Sequence, residues 1–227
     1  EKSDIRGGLI VHLGCDNGKL TTALYDHDSY LVHGLSSESK NVEKARRYIR
    51  DQGVYGEVSV EQWDQQTLPY ANNMVNLLVA EESGMISEEE MMRVLTPKGV
   101  ALIKEDGEWE KTIKSRPEGI DIWTHYLHEP NNNAVARDTS VGPPKSVQWI
   151  SNPPYLRSHE FNSSMTGTIT SGERIFYMID EGPIGVVGKR LPTQWKLVAR
   201  DAFNGKLLWK RPIPDWGWRQ WHDSKIW

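Results

Sequence analysis

Gly8-Leu-Ile-Val-His-Leu-Gly-Cys-Asp-Asn-Gly18 is the stretch on which the reading of this chain turns. Its apolar run, residues 9–13, breaks at Gly14, passes through a loop closed by a second glycine, Gly18, and enters Lys19-Leu-Thr-Thr-Ala-Leu24, which has the composition of a helix. Strand, tight turn and helix in that order open a doubly wound α/β sheet. Glycine is needed there because the backbone approaches a nucleotide where a Cβ would collide. Two glycines in such a turn are common, so the meaning depends on the elements downstream.

Those elements repeat the unit. Residues 30–35 read as a second strand, and residues 40–51 as a helix with Val42, Ala45 and Ile49 on one face and Gly53 as its stop. Val58, Val60 and Trp63 alternate along a third strand that ends at Asp64. Residues 74–80, apolar except for Asn76, have the continuous hydrophobicity of a strand buried on both faces. Ser87 and Glu90 make a capping box for a helix carrying Met91, Met92, Val94 and Leu95. Pro97-Lys-Gly99 ends that helix, and residues 100–103 form the next strand. Alternating β and α elements predict an α/β fold with a mostly parallel, Rossmann-like sheet and right-handed crossovers.

Residues 8–104 resemble the core of a class I S-adenosylmethionine-dependent methyltransferase. The most specific piece is Arg93-Val-Leu-Thr-Pro-Lys-Gly-Val-Ala-Leu-Ile103, similar to that family's helix, Pro-Gly-Gly-like turn and fifth strand. The resemblance implies S-adenosylmethionine as cofactor. Gly14, Cys15, Asp16 and Gly18 would lie in the turn around its methionine and ribose, Ser36 at the ribose and Asp64 at the adenine amino group. The departures are specific. The family's first motif usually reads acid-x-Gly-x-Gly-x-Gly, whereas His12 holds the acidic slot here and Asp16 the middle glycine. Ser36 stands where a carboxylate normally takes both ribose hydroxyls, and losing a charge-assisted hydrogen bond costs about 1.5–3 kcal/mol. The resemblance therefore implies a weakened, degenerate pocket and assigns no catalytic side chain, since methyl transfer rests on in-line positioning.

The pattern changes after residue 104. Residues 105–111 are charged without a clear period, and the antiparallel strands that normally complete a methyltransferase sheet are not evident. The predicted organisation is a Rossmann-like domain over 1–114, a connector over 115–145 and a β region over 146–227. Short β-prone runs at 146–150, 166–170, 174–179, 196–200 and 206–210 are separated by Gly, Pro or Asn turns. Among them, Asp201-Ala-Phe-Asn-Gly-Lys-Leu-Leu-Trp209 contains the hairpin signal Asn204-Gly205. Its Asp-Ala-x-x-Gly-Lys-x-x-Trp pattern resembles the repeat of pyrroloquinoline-quinone (PQQ)-type β-propellers, in which the tryptophan docks blade against blade. The last four strands would make one blade, with 146–150 closing the ring elsewhere. Propellers need about 4–8 blades, so the parent polypeptide is expected to be longer, or the chain to dock onto the missing part. Trp209, Trp216, Trp218, Trp221 and Trp227 would supply apolar surface for the remaining blades or another protein chain. The whole resembles a bacterial family of large proteins in which a methyltransferase-like domain precedes a PQQ-like propeller.

Composition narrows the rest. Lys+Arg 27 against Asp+Glu 31 gives a net charge of -4, which argues against nucleic acid or an anionic membrane as partner. No apolar stretch approaches the ~20 residues that span a bilayer. Cys15, the only cysteine, excludes an internal disulfide and a four-cysteine zinc site, and reads as a small apolar filler rather than a nucleophile. The chain begins at Glu1 without a signal peptide, so a segment upstream is expected to have been removed. His125-x-x-His128-Glu129 offers two imidazoles on one helical face as metal ligands, or histidines hydrogen-bonded within the connector; the second is favoured, and no metal is expected. Asn152-Pro-Pro-Tyr155 looks like an amine-holding methyltransferase motif but follows the wrong strand, and a Pro-Pro turn accounts for it. Glu81 and Glu82 are equally acceptor-site acids or the solvated start of a loop. Glu88-Glu89-Glu90 complements a helix dipole.

These readings leave three functions: a methyltransferase-like domain on an incomplete propeller, a non-catalytic structural or interaction module of a larger propeller assembly, or a fragment of a quinone-dependent oxidoreductase. The third needs blades to hold PQQ that this chain alone does not supply. Propellers of this kind are often exported, which predicts a periplasmic or otherwise exported location; use of S-adenosylmethionine would predict the cytoplasm instead.

Overall fold

Strand β1 (Gly8–Leu13) is buried at all six residues and pairs in parallel on both edges, with β2 (Tyr30–Ser36) on one side and β4 (Val75–Ala80) on the other. A strand enclosed in this way must be apolar toward both faces, which is why residues 9–13 and 74–80 read as near-continuous hydrophobic runs. Asn76 interrupts the second run for a local reason. Its Oδ1 accepts a hydrogen bond from Leu9 N at 2.8 Å, and its side chain fills the space a Cβ on Gly8 would need.

In the computed structural model, residues 3–64, 66–140, 142–143, 145–154, 164–184, 193–214 and 216 are described. The chain divides into two units, Glu1–Pro117 and Glu118–Trp227. The first holds a six-stranded sheet in the order β3-β2-β1-β4-β5-β6, with β3 (Val58–Gln62), β5 (Leu95–Glu105) and β6 (Glu108–Ile113) completing it. All neighbours are parallel except β6, which returns antiparallel along β5. Helix α2 (Ser39–Asp51) buries Val42, Ala45 and Ile49 against Ile10, Val32, Val58, Val60 and Leu77. The other face of the sheet packs Val11, Leu13, Leu35 and Leu78 against Trp63, Leu68 and helix α3 (Glu88–Val94). A short helix, α1 (Lys19–Ala23), comes directly after the glycine turn.

Four expectations in this unit are corrected. The third strand ends at Gln62, so Asp64 lies in the following loop. Pro97-Lys-Gly99 does not terminate a helix, which has already stopped at Val94; it forms a bulge inside β5, where the register passes from Val75↔Leu95 to Leu77↔Val100. A bulge is where a strand tolerates a residue without an N–H, and Gly99 has no room for a side chain because a Cβ would sit 2.9 Å from Val75 O. The capping box is half made. Ser87 Oγ accepts from Glu90 N at 3.2 Å, but the Glu90 carboxylate accepts from Leu68 N at 2.6 Å and from Arg93 Nε at 2.7 Å. Arg93 in turn donates to Leu68 O, Tyr70 O and Asn72 Oδ1, so the pair fastens the loop before β4 to α3. Finally, an antiparallel strand does complete the sheet. Asp106-Gly107, with positive φ at both residues, turns β5 into β6.

The second unit contains a four-stranded antiparallel sheet in the order β10-β9-β8-β7, made of β7 (Met165–Ser171), β8 (Arg174–Asp180), β9 (Trp195–Asp201) and β10 (Leu207–Pro212). Residues 146–150 are not a strand. Val147 and Ile150 are exposed, and the segment is held to the β9–β10 turn by side chains, Gln148 Nε2 donating to Phe203 O and Trp149 Nε1 to Ala202 O. That turn is longer than a two-residue hairpin. Asp201 Oδ1 accepts from Phe203 N at 2.8 Å and Asn204 N at 3.0 Å, and Gly205 alone takes positive φ, with Trp149 packed where its Cβ would be. Among the described residues no helix is long and apolar enough to cross a membrane.

Glu90→Ala should lower the unfolding free energy by about 2 kcal/mol, because it leaves Arg93 and Leu68 N without their charge-assisted acceptor. Urea denaturation should show a lower midpoint with an unchanged slope.

Candidate functional site

In an open α/β sheet, ligands bind beyond the carboxyl ends of the strands where the strand order reverses. Here that point lies between β1 and β4, whose last residues, Leu13 and Ala80, are register partners. The loop after β1 is anchored by one acceptor: Leu35 O receives Gly14 N at 2.9 Å and Cys15 N at 3.2 Å. Gly14 takes φ 81°, and a Cβ there would meet only the tip of Met85, 3.5 Å away. Gly18, at φ 77°, does different work. Its missing Cβ lets the turn press against the backbone of Ala45 on α2, 3.0 Å from where that carbon would lie.

The other expected site residues separate into exposed and buried. Cys15 is fully buried, its thiol packed beneath Gly34 of β2, and burial pushes its pKa up to about 12. Asp16 is exposed and accepts from Asn41 Nδ2 of α2 at 3.1 Å. Ser36 is buried at the end of β2, its carbonyl accepting from Trp63 N at 2.9 Å. Asp64 is exposed in the next loop, where its Oδ1 accepts from Gln66 N at 3.1 Å. The Trp63–Ser36 bond thus joins the loop carrying Asp64 to the end of β2, and the two meet at one edge of the sheet. No carboxylate replaces Ser36 within its own strand.

His12 occupies a motif slot to which the sequence alone assigns no task. It is 2% exposed. Nδ1 lies 2.9 Å from Thr21 Oγ1 on α1, while Nε2 has no hydrogen-bond partner among the described residues and faces Glu81 Oε2 at 3.9 Å. Burial lowers its pKa to about 4 against the opposing pull of Asp16, so the imidazole is neutral at pH 7. A histidine inside an otherwise apolar strand was the available signal. Glu81 is half exposed at the start of the β4 loop. Beyond these, Tyr70 OH lies 2.7 Å from His33 Nδ1, and His33 Nε2 lies 3.6 Å from Glu61 Oε2; burial lowers the His33 pKa and raises that of Tyr70.

The histidine pair of the connector is structural in form. His125 and His128 exchange backbone hydrogen bonds across a tight loop rather than sharing a helical face. His128 Nε2 lies 2.6 Å from Asp121 Oδ2, and the Asp121 carboxyl is held at about 2 by backbone N–H donors from Arg137 and Ile122 as well as by His128. No cluster of three or more His, Cys, Asp or Glu suited to a metal ion occurs among the described residues. Of Asn152-Pro-Pro-Tyr155, Asn152 O accepts from Arg200 Nη2 at 2.9 Å, and Tyr155 lies outside the described residues. Trp218, Trp221 and Trp227 also lie outside them, while Trp216 stacks edge-on against Trp195 at 4.7 Å.

Residues 10–99 match the family model described as a methyltransferase domain. Solved structures similar to this chain include a candidate S-adenosyl-L-methionine-dependent methyltransferase of Methanococcus maripaludis, 23% identical with a TM-score of 0.42, covering 47% of this chain and 52% of that one. Geranyl diphosphate C-methyltransferase of Streptomyces coelicolor is 17% identical with a TM-score of 0.40, over 43% and 38% of the two chains. A candidate sarcosine dimethylglycine methyltransferase of Galdieria sulphuraria is 19% identical with a TM-score of 0.39, over 43% and 39%. In each case the chain spans about half or less of the solved protein's length. No curated protein matches.

The burial of this turn has two measurable outcomes. Ellman's reagent should leave Cys15 unreacted in the native protein and modify one thiol per chain in denaturant. Because the folded His12 pKa lies below its unfolded value, the unfolded chain binds more protons between those two values. Stability should therefore fall as pH drops from 6.5 toward 4, by up to about 3 kcal/mol from His12. His33 acts with the same sign. Urea midpoints at pH 7 and 4.5, compared between the natural chain and His12→Gln, would isolate the His12 part.

Proposed function

We propose that the crevice at the carboxyl ends of β1, β2 and β4 binds S-adenosylmethionine, and that the first unit is a methyltransferase-type domain joined to one blade of a PQQ-like propeller. The observation that carries the cofactor reading is the glycine turn at the order reversal, inside the segment matched by a methyltransferase-domain model. The cofactor supplies a methyl group on a sulfonium, so the chain's task is to position donor and acceptor. Gly14, with no atom but the tip of a flexible methionine near its missing Cβ, fits close approach of a ligand, and Asp64 is free to face an adenine from its loop. Ser36 does not fit the ribose, and its hydroxyl predicts weakened affinity.

The four-stranded antiparallel meander β7–β10 supports the blade, as does the turn built on Asp201 and Gly205. Within it, Trp209 stands 6.0 Å from Phe176 and under the Arg211 guanidinium, partly buried and available to further blades or another chain. PQQ itself would be held by blades that this sequence does not contain.

A second reading, a non-catalytic scaffold, is favoured by the buried Ser36 and by the Asp16–Asn41 bond, which fill two cofactor positions with internal structure. It goes with an exported location, the enzyme reading with a cytoplasmic one. Calorimetric titration with S-adenosylhomocysteine separates the two. The enzyme reading expects micromolar binding that Asp64→Ala weakens severalfold. No heat at millimolar ligand, with native circular dichroism intact, would overturn it and leave the scaffold.

A further inference from the structure

Strand β7 is the outer strand of the second sheet, and a bulge shapes it. The register passes from Thr166↔Met178 to Ile169↔Phe176, so β7 carries one residue more than β8 across that interval. Gly167 lies in the bulge at φ 65°, and a Cβ there would come 3.0 Å from Met178 Cε. Bulges bend a strand and re-aim its side chains, and they are over-represented beside functional sites. Trp123 is fastened to the same strand: its N donates to Thr170 Oγ1 at 2.8 Å, and its O accepts from Thr170 N at 2.6 Å. The bulge and Trp123 both border an open groove of about 500 Å³, lined by Trp123, Tyr126, Met165, Thr166, Gly167 and Thr168.

One wall of this groove is held in place before any ligand arrives. Trp123 Nε1 donates to Tyr126 O at 3.2 Å, and the indole meets the His128 ring in a T-shaped contact at 5.1 Å. His128 is itself fixed, buried with Nε2 2.6 Å from Asp121 Oδ2. A ring held in this way loses little freedom when a ligand stacks on it. Tyr126, by contrast, is 65% exposed, and Met165 is exposed beside it in the lining. The groove thus offers stacking surface that the fold does not consume.

The chemistry of the lining selects the ligand. No charged side chain lines the groove, so an ionic ligand would find no counter-charge. A peptide adding itself as a strand needs an unbroken row of backbone groups; the bulge interrupts that row, and Trp123 already takes it up at Thr170. The chemistry fits a neutral ligand with an apolar face for the rings and hydroxyls for Thr166 and Thr168, both half-buried. A pyranose ring has both, with C–H bonds across one face and hydroxyls around its rim. The volume falls within the range of small-ligand pockets, roughly 300–1,000 Å³.

We propose that the groove beside β7 is a carbohydrate-binding site that takes a neutral oligosaccharide, one sugar ring lying against Trp123 and Tyr126. The site is independent of the methyl-transfer reading and requires no cofactor in the first unit.

The test titrates the full chain with a panel of neutral oligosaccharides built from hexoses, pentoses and N-acetylhexosamines. Binding is followed by calorimetry and by the Trp123 indole ¹⁵N–H resonance, assigned with Trp123→Phe. The natural chain should bind at least one member at millimolar concentration or below and shift that resonance. Tyr126→Ala, which removes an exposed ring and should leave circular dichroism unchanged, should weaken the binding about tenfold. Thr168→Val, of the same shape without the hydroxyl, should weaken it about fivefold. Absence of binding across the panel, binding that both substitutions leave unchanged, or a Trp123 resonance that stays still on binding would overturn the proposal. Tighter binding of an uncharged extended peptide than of any panel member would also overturn it, and would make the groove a strand-addition edge.

Discussion

The first unit depends on the enclosure of β1, a strand hydrogen-bonded on both edges and covered on both faces. Parallel neighbours cannot be joined by tight hairpins, so the chain must leave the sheet after β1 and return alongside it. That requirement places the glycine turn and α1 at the strand's carboxyl end and α2 over one face. The same enclosure explains why β1 and β4 are apolar toward both sides, and why the polar exceptions matter. Asn76 is accommodated because it completes the hydrogen bonding of Leu9 N at the sheet's lower edge. His12 is accommodated at the upper edge through Thr21, with its other ring nitrogen buried and 3.9 Å from Glu81 Oε2.

The crevice is therefore a product of topology before it is a product of side chains. The reversal of strand order leaves the ends of β1 and β4 without a crossover above them, and the Leu35 carbonyl holds the turn's first two amides down toward β2. Into this frame the sequence has placed groups that divide between packing and exposure. Gly18 and Cys15 serve the contact with α2 and β2, while Gly14, Asp64 and Glu81 remain on the open side. Ser36 places no charge at the end of β2. Glu81 and Asp16 place negative charge near the end of β1.

The second unit obeys a different logic. Its sheet is an antiparallel meander in which each strand pairs with its sequence neighbour, and short turns join β7 to β8 and β9 to β10. Asp201 organises the last turn with its own carboxylate, and Arg200, buried beside it, donates to Tyr177 OH, Gly205 O and Asn152 O. One guanidinium thus links β8, the final turn and the segment before the sheet, which is how residues 146–154 are held without becoming a strand.

Amphipathic period, glycine punctuation and continuous apolar runs depend on near neighbours in the chain, and from them the sequence alone determined the βα alternation, the mostly parallel sheet, α2 and its buried face, and the four strands of the second sheet. Asp106-Gly107 carried a local hairpin signal as well, but the edge strand after it is charged and mostly exposed, with Trp109 packing against the core, and shows no hydrophobic alternation. Only the tertiary structure decided the features that depend on a partner distant in sequence. Glu90 leaves its capping partner for Leu68 N and Arg93 because a loop some twenty residues earlier brings an orphan amide to it. Pro97-Lys-Gly99 becomes a bulge because β4 lies against it, and residues 146–150 remain irregular because the β9–β10 turn takes up Gln148 and Trp149. The meeting of His12 with Glu81 is of the same kind. Sixty-nine positions separate them in the sequence, and their proximity comes from the pairing of β1 with β4.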